Sequence, residues 1–119
     1  MGSSAAFLEL LVELMAGFGP VTRKRMFGGA GFFRDGLMFA LVSRDTLYLK
    51  CDAETAERFD SQNLSAFTYT TKTGPNTILS YRRAPDVCLE DPDAMTEWCR
   101  LAFAAALRSS RPKGKRAAR

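Results

Sequence analysis

The chain has 119 residues, of which 46% are hydrophobic and 25% charged, and its formal net charge is +4. This length suits one domain with its own core, and the composition is that of an ordinary globular protein. No apolar run reaches the roughly 18 residues that a membrane span needs and no basic signal-peptide start is present, so we expect a soluble, cytoplasmic protein that does not bind membranes.

Histidine is absent from the sequence, and cysteine occurs only at Cys51, Cys88 and Cys99. Without an imidazole the chain has no Ser-His or Cys-His nucleophile and no histidine-containing zinc site. Three separated thiols are too few for a four-cysteine zinc site. We therefore expect a protein that is not an enzyme, with no metal, cofactor or small-molecule substrate. Its cysteines are interpreted as small buried apolar side chains.

Positive charge is concentrated at the C-terminal end. Residues 108–119 contain six basic and no acidic residues, whereas residues 1–107 contain 11 basic and 13 acidic ones. The sequence thus predicts a folded domain over 1–107 and a disordered basic tail over 108–119. Such a tail either adds electrostatic affinity for nucleic acid or is simply a solvated terminus.

The first predicted element is a helix. Apolar residues between Ser4 and Phe18 recur at helical spacing, with Glu9 and Glu13 on the opposite side. This pattern predicts a helix with one buried face, which the glycines and Pro20 that follow would end.

From Val21 to Lys50 the apolar periodicity changes to two, interrupted by the turn signals Asp35-Gly36 and Arg44-Asp45. This pattern predicts antiparallel strands joined by hairpins. Residues 37–42 are apolar on both faces, which is typical of a central strand that is covered, at least in part, on both sides.

The second half begins with a short predicted helix over 52–62. Two strands, 66–72 and 77–83, flank the turn-rich residues 73–76. A helix of about 17 residues is predicted to start at Asp91-Pro92, a capping acceptor followed by proline at the first helical position. The predicted fold class is therefore α+β, an antiparallel sheet of about five strands with N- and C-terminal helices packed on it.

The segment Gly28-Gly29-Ala30-Gly31 invites comparison with phosphate-binding loops. Arg34 occupies the position of the third glycine in G-x-G-x-x-G, and a strand rather than a helix is predicted to follow. The surrounding residues match only part of the RNA-recognition strand signature. We interpret the glycines as a bend or a close backbone contact within a strand.

Two basic clusters lie in predicted strands, Arg23-Lys24-Arg25 and Arg82-Arg83. If the two strands are adjacent, the clusters form a positive strip that contacts phosphate. The alternative is a solvated strand edge that discourages association with other edges. The tail would extend any nucleic-acid contact with Arg111, Lys113, Lys115 and Arg116.

The second face of the predicted sheet is a candidate interaction face, because the helices cannot cover all of it. Strict alternation places Met38, Ala40, Val42, Tyr48 and Tyr81 there. Exposed apolar and aromatic surface of this kind favours a protein partner or a homodimer.

Several motifs in a fixed order carry a family resemblance, which covers roughly residues 5–107. They are Arg25-Met26-Phe27-Gly28-Gly29-x-Gly31, Asp35-Gly36-x-Met38-Phe39-Ala40-Leu41, Leu47-Tyr48-Leu49-Lys50, Phe67-x-Tyr69, Ser80-Tyr81 and the Asp91-Pro92 helix with Trp98. With these motifs the chain closely resembles the TfoX (Sxy) N-terminal domain family, as a short stand-alone member.

The resemblance implies a fold similar to the secretion-chaperone type, in which dimers are common. The best-known members of the family regulate bacterial competence together with a cyclic-AMP-responsive activator at promoters, and the family supplies no catalytic residues. Those regulators also carry a C-terminal domain, which we expect this short member to lack. Our leading hypothesis is a non-enzymatic interaction domain that resembles the N-terminal domain of such transcription co-regulators and binds a protein partner or itself. The alternative is a weakly sequence-specific DNA-binding protein that uses the basic tail.

Overall fold

Helices from both ends of the chain share one core with a six-stranded antiparallel sheet in the computed structural model, which describes residues 4–26 and 28–110. The helices are α1 (Ala5–Leu14), α2 (Ala56–Asp60) and α3 (Pro92–Ser109), and a 3-10 turn at Asp86–Leu89 precedes α3. The strands are β1 (Thr22–Met26), β2 (Gly29–Arg34), β3 (Leu37–Ser43), β4 (Thr46–Lys50), β5 (Ala66–Thr71) and β6 (Gly74–Arg83). The predicted α+β class with terminal helices is confirmed, and the sheet has six strands rather than about five.

The strand order is β1-β2-β3-β4-β6-β5, and each neighbouring pair is antiparallel. Helix α3 packs on the central strands β3 and β4, and α1 lies beside α3. Strand β1 forms one edge of the sheet and is almost fully exposed, with three consecutive basic residues. It therefore lacks the apolar alternation that identifies strands in a sequence.

The hairpin formed by β5 and β6 extends beyond the rest of the sheet. Strand β4 pairs only with residues 81–83 of β6, whereas β5 pairs with β6 as far as the turn at 72–73. Residues 67–78 therefore form a two-stranded projection, called the arm below. Pro75 is tolerated there because, in the part of the chain that the structure describes, β6 has no neighbouring strand on its second side within the arm.

The helix termini follow the capping signals in the sequence. The Ser4 hydroxyl accepts a hydrogen bond from the Phe7 amide at 3.1 Å, and the Asp91 carboxylate accepts one from the Asp93 amide at 3.0 Å, with proline at the first position of α3. The predicted inner stripe of α3 is buried throughout: Met95, Trp98, Cys99, Ala102 and Ala106. Helix α1 ends at Leu14, earlier than predicted, although Phe18 is still buried.

A β-bulge in β3 changes which side chains face the helices. Phe32 of β2 is opposite Ala40 and Phe33 is opposite Met38, which leaves Phe39 as the extra residue. Phe39 and Ala40 are consecutive, yet both are fully buried in the core. Strict alternation therefore fails after Phe39, as expected where one strand carries an additional residue.

Helix α3 continues into the predicted tail and holds Arg108 in the folded body. The Arg108 guanidinium binds the Asp52 carboxylate through two hydrogen bonds, Nε to Oδ2 at 2.6 Å and Nη2 to Oδ1 at 3.1 Å. This pair connects the end of α3 to the loop before α2. The remaining tail positions, 111–119, lie outside the described residues.

Within 4–26 and 28–110, no helix is both long and apolar enough to cross a bilayer.

Candidate interaction surface on the open sheet face

The strand register assigns side chains to the two faces of the sheet, because residues directly opposite in antiparallel strands lie on the same face. One row crosses five strands and contains Arg23, Phe32, Ala40, Leu49 and Arg82. Its three central members are fully buried and belong to the core. This row therefore lies on the face covered by the helices.

The neighbouring row lies on the other side, which is called the open face below. It contains Lys24, Gly31, Leu41, Tyr48 and Arg83. Leu41 and Tyr48 are only partly buried, and both terminal residues are exposed. No helix among the described residues covers this row.

A groove of about 520 Å³ lies on the open face between the arm and strands β1 to β3. Met26, Met38 and Leu41 line one side, and Phe67, Tyr69 and Ile78 of the arm line the other. The rings of Phe67 and Tyr69 stack with centroids 5.8 Å apart, and Tyr48 contacts Phe67 at 5.0 Å. The groove wall is thus made of aromatic and methionine side chains.

Tyr81 forms part of the groove floor and ties β6 to β3. Its hydroxyl donates a hydrogen bond to the Met38 carbonyl at 3.1 Å. That carbonyl lies beyond the last paired residues of β3 and β4, Ala40 and Leu49, so the tyrosine connects β6 to β3 where β3 and β4 no longer pair. Burial raises the pKa of Tyr81 to about 12, which keeps the hydroxyl protonated as a donor.

Two positions of β2 require glycine because atoms of neighbouring residues lie close to the backbone there. A Cβ on Gly31 would lie 2.8 Å from Met38 Sδ and 3.1 Å from Met26 Cε, so the missing side chain makes room for both methionines on the open face. A Cβ on Gly29 would overlap the backbone carbonyl oxygen of Val42 in the neighbouring strand. The Gly29 contact agrees with the interpretation of the glycine segment as a close backbone contact within a strand, whereas the contacts of Gly31 are with side chains.

The structure places three of the five residues predicted for this face, Met38, Tyr48 and Tyr81, on the open face. Val42 is only 2% exposed and belongs to the core, although it also borders the groove. Ala40 is likewise buried in the core. The bulge at Phe39 explains the difference, because it brings Leu41 rather than its even-numbered neighbours to the open face.

Several groove residues were not predicted from the sequence: Met26, Leu41, Phe67, Tyr69 and Ile78. A signal existed for two of them, since Phe67 and Tyr69 alternate with small residues in a predicted strand. Their position over the open face depends on the strand order, which the sequence does not specify.

The two basic clusters do not form a strip, because three strands separate β1 from β6. Alternation also divides the first cluster, since Lys24 lies on the open face while Arg23 and Arg25 lie on the other side. Three members of the clusters pair with carboxylates: Arg23 with Glu9 at 3.4 Å, Arg82 with Asp60 at 2.7 Å and Arg83 with Asp86 at 3.1 Å. Of the predicted nucleic-acid contacts, Arg111, Lys113, Lys115 and Arg116 lie outside the described residues.

Charge is distributed unequally between the sheet and the rest of the chain. None of the 13 acidic residues lies in a strand, whereas seven basic residues do. Two of these lie on the open face without a salt bridge in the described part of the chain. Lys24 Nζ is 5.9 Å from the Phe33 ring centroid, and Lys50 Nζ is 5.0 Å from that of Tyr81.

All three cysteines are buried and unpaired, as the sequence suggested. Burial, with a smaller contribution from Glu97, raises the pKa of Cys88 to about 12, and burial raises that of Cys99 to about 12. These two thiols stay protonated at neutral pH and are poor nucleophiles. Among the described residues, no three cysteine, aspartate or glutamate side chains gather into a metal-binding group.

Comparison with known proteins agrees with the resemblance in the motifs. The TfoX N-terminal domain model matches residues 13–106, which is most of the chain. The chain is also 33% identical over 70 residues to "DNA transformation protein TfoX1" of Aliivibrio fischeri. That match covers 59% of this chain and 34% of the relative, so it spans about a third of the relative's length. The chain belongs to the TfoX N-terminal domain family.

Proposed function

We propose that this chain is a regulatory interaction domain, and that it binds a segment of a partner protein, or a second copy of itself, in the groove on the open face. The observation that carries this proposal is the groove itself. It has a volume of about 520 Å³ and a mostly apolar lining, and the helices leave it uncovered. A sheet whose second face remains apolar is typical of a protein that buries this face against a partner.

The chemistry of the groove suits protein binding. Tyrosine and phenylalanine are enriched at interfaces because they bury a large area with few rotatable bonds, and methionine adapts its shape to a partner. The groove contains all three, and Tyr69 is 41% exposed at its rim. Its backbone is fixed by the sheet, so the domain orders little of its own chain on binding.

The biological setting follows from the relative named for DNA transformation. In this proposal the domain takes part in regulating competence or related transcription, and the groove recruits the protein with which it acts. The three unpaired cysteines suit the reducing cytoplasm in which such regulation takes place. The relative is about three times longer than the matched segment, so its complete activity is not assigned to this chain.

Site-specific photo-crosslinking in cells tests the proposal. A photoreactive phenylalanine analogue replaces Tyr69 at the rim of the groove or, as a matched control, Val87, which is 43% exposed outside the sheet. We expect protein adducts from position 69 and none from position 87. The captured protein, once purified, should bind the wild type and lose affinity for Leu41→Arg. Equal adducts from both positions, or unchanged affinity for Leu41→Arg, would contradict binding in the groove.

A second candidate function, DNA binding by the tail, is favoured by five basic residues and no acidic residue in positions 111–119. Titration of duplex DNA at two salt concentrations, with and without residues 111–119, tests it. We expect the tail to supply most of the affinity and of its salt dependence, because each phosphate contact releases counterions. Equal affinities and salt slopes for the two proteins would exclude this function.

A further inference from the structure

The charge around the groove identifies the chemistry of its occupant, on the basis of the function proposed above. We infer that the groove binds an extended acidic segment of a partner protein, whose apolar side chains enter the groove while its carboxylates contact Lys24 and Lys50. The observations that support this are the apolar lining, the two cations on the same sheet face and the absence of carboxylates from all six strands.

The two lysines are positioned for this role. Lys50 is directly opposite Tyr81, a residue of the groove floor, and its ammonium lies 5.0 Å from the centroid of that ring. Lys24 is directly opposite Gly31, on which the two groove methionines pack. The lysines lie on β1 and β4, three strand spacings apart, and Lys50 lies two residues beyond the row of Lys24, so their backbone positions are roughly 16 Å apart. An extended peptide covers this distance with about five residues.

Neither lysine has a competing salt bridge in the part of the chain that the structure describes, unlike Arg23, Arg82 and Arg83. An incoming carboxylate therefore does not have to displace an existing partner. Contact with an apolar surface that excludes water also strengthens the attraction between an ammonium and a carboxylate. Lys24 and Lys50 can thus favour an apolar segment that carries acidic residues over apolar segments that lack them.

The same charges disfavour symmetrical pairing of two open faces. In a two-fold dimer the same patch occurs on both sides of the interface, so the cations of one copy face those of the other. Like charges brought together at an interface are costly. All Asp and Glu residues lie outside the strands, so the strands of a second copy bring no carboxylate opposite these cations. A separate acidic segment has no such conflict.

The experiment uses a displayed library of random 12-residue peptides, selected on the full chain at low salt. The selected peptides are then titrated into protein labelled with ¹³C at the methionine methyl groups. Met26 and Met38 line the groove, whereas Met15 and Met95 are fully buried in the core and act as internal controls. We expect peptides that are rich in Asp and Glu beside Leu, Phe, Tyr or Trp, and that shift the signals of Met26 and Met38 only.

Charge reversal tests the two lysines directly. Lys24→Glu/Lys50→Glu should reduce the affinity for the selected acidic peptide about tenfold or more. Added salt should reduce the affinity of this peptide for the wild type. The control Arg25→Glu/Arg100→Glu changes the net charge equally at exposed positions off the open face, and should retain most of the affinity. Equal losses in the two double variants would overturn the assignment of Lys24 and Lys50.

Other outcomes separate this inference from the proposed function. Neutral or basic peptides that shift Met26 and Met38 would overturn the acidic preference and leave protein binding in the groove intact. A dimer in sedimentation that Leu41→Arg makes monomeric would show that a second copy occupies the groove, which also overturns the inference. Failure to select any peptide, together with an absence of crosslinks from position 69, would reject both proposals.

Discussion

The two faces of the sheet present apolar side chains to different surroundings. On the covered face, Phe39 and Leu49 are fully buried under the helices, whereas Leu41 and Tyr48 on the open face are only partly buried. The residue types are similar, so hydrophobicity alone does not separate the two sets. The register and a single bulge decide which side chains stabilise the fold and which remain available for binding. Stability and recognition should therefore respond separately to mutation.

We expect the largest difference in the free energy of unfolding between alanine substitutions at two glycines in β2. Gly29→Ala forces a Cβ against the Val42 carbonyl oxygen, and backbone of a neighbouring strand cannot move without disturbing the ladder. We expect a loss of about 3 kcal/mol or more in the free energy of unfolding, measured by urea denaturation. In Gly31→Ala the new methyl group meets only two flexible methionine side chains, so the loss should be about 1 kcal/mol or less. Similar losses for both variants would show that the methionines are held as rigidly as the backbone.

The same substitution at two leucines on neighbouring strands compares the contributions of the two faces to stability. Leu49 is fully buried on the covered face, and Leu49→Ala should reduce the free energy of unfolding by about 2–5 kcal/mol. Leu41 is partly exposed beside the groove, and Leu41→Ala should cost only about 1 kcal/mol because it leaves no enclosed cavity. Thermal and urea denaturation measure both. An equal cost would mean that the open face contributes to the core as strongly as the covered face does.

Much of this architecture was predictable from the sequence, because the features concerned are local. The period-two pattern, the turn dipeptides and the Asp91-Pro92 cap each depend on a few adjacent residues, and they gave the fold class, the central strand and the start of α3. Charge counting could not place the end of α3, since Arg108 is fixed by a carboxylate 56 residues away.

The composition of the open face was harder to predict, because it depends on contacts between distant strands. The extra residue at Phe39 moves Val42 into the core and Leu41 out of it, and no local signal marks a bulge in a run that is apolar throughout. The arm residues Phe67 and Tyr69 join the groove only because β6 lies between β4 and β5. The same strand order places three strands between the two basic clusters, which would form one strip only if β1 and β6 were neighbours.

The pair between Asp52 and Arg108 offers a test on the helix side that depends on pH. Hydrogen bonds from Arg108 lower the pKa of Asp52, against the opposing effect of burial. The folded state therefore holds this proton less tightly than the unfolded state, so the stabilisation is present above about pH 4 and is lost as the pH falls through the depressed folded pKa. Asp52→Asn preserves an acceptor for the Glu54 and Thr55 amides and removes the charge.

We expect Asp52→Asn to cost about 1 kcal/mol at pH 7, and less as the pH falls below 4. The control is Asp60→Asn, whose carboxylate pairs with Arg82 at a far more exposed position and should cost only about 0.5 kcal/mol. Urea denaturation between pH 3 and pH 7 measures both differences. A pH-independent effect of Asp52→Asn would mean that the lost side-chain contacts matter more than the lost charge.

Tyr81 gives the open face one specific hydrogen bond that contributes to stability. Tyr81→Phe leaves the Met38 carbonyl without its donor, and should reduce the free energy of unfolding by about 1 kcal/mol at neutral pH. Tyr69→Phe is the matched control, because among the described residues its hydroxyl is hydrogen-bonded to the exposed Asn76 side chain alone and should contribute almost nothing. The raised pKa of Tyr81, about 12, means that the wild type loses stability as the pH rises above 10, the value in the unfolded chain. Tyr81→Phe lacks this loss, so the difference between the two proteins should shrink in alkaline urea denaturation. A constant difference would place Tyr81 in contact with water and make the groove floor more open than its 6% exposure indicates.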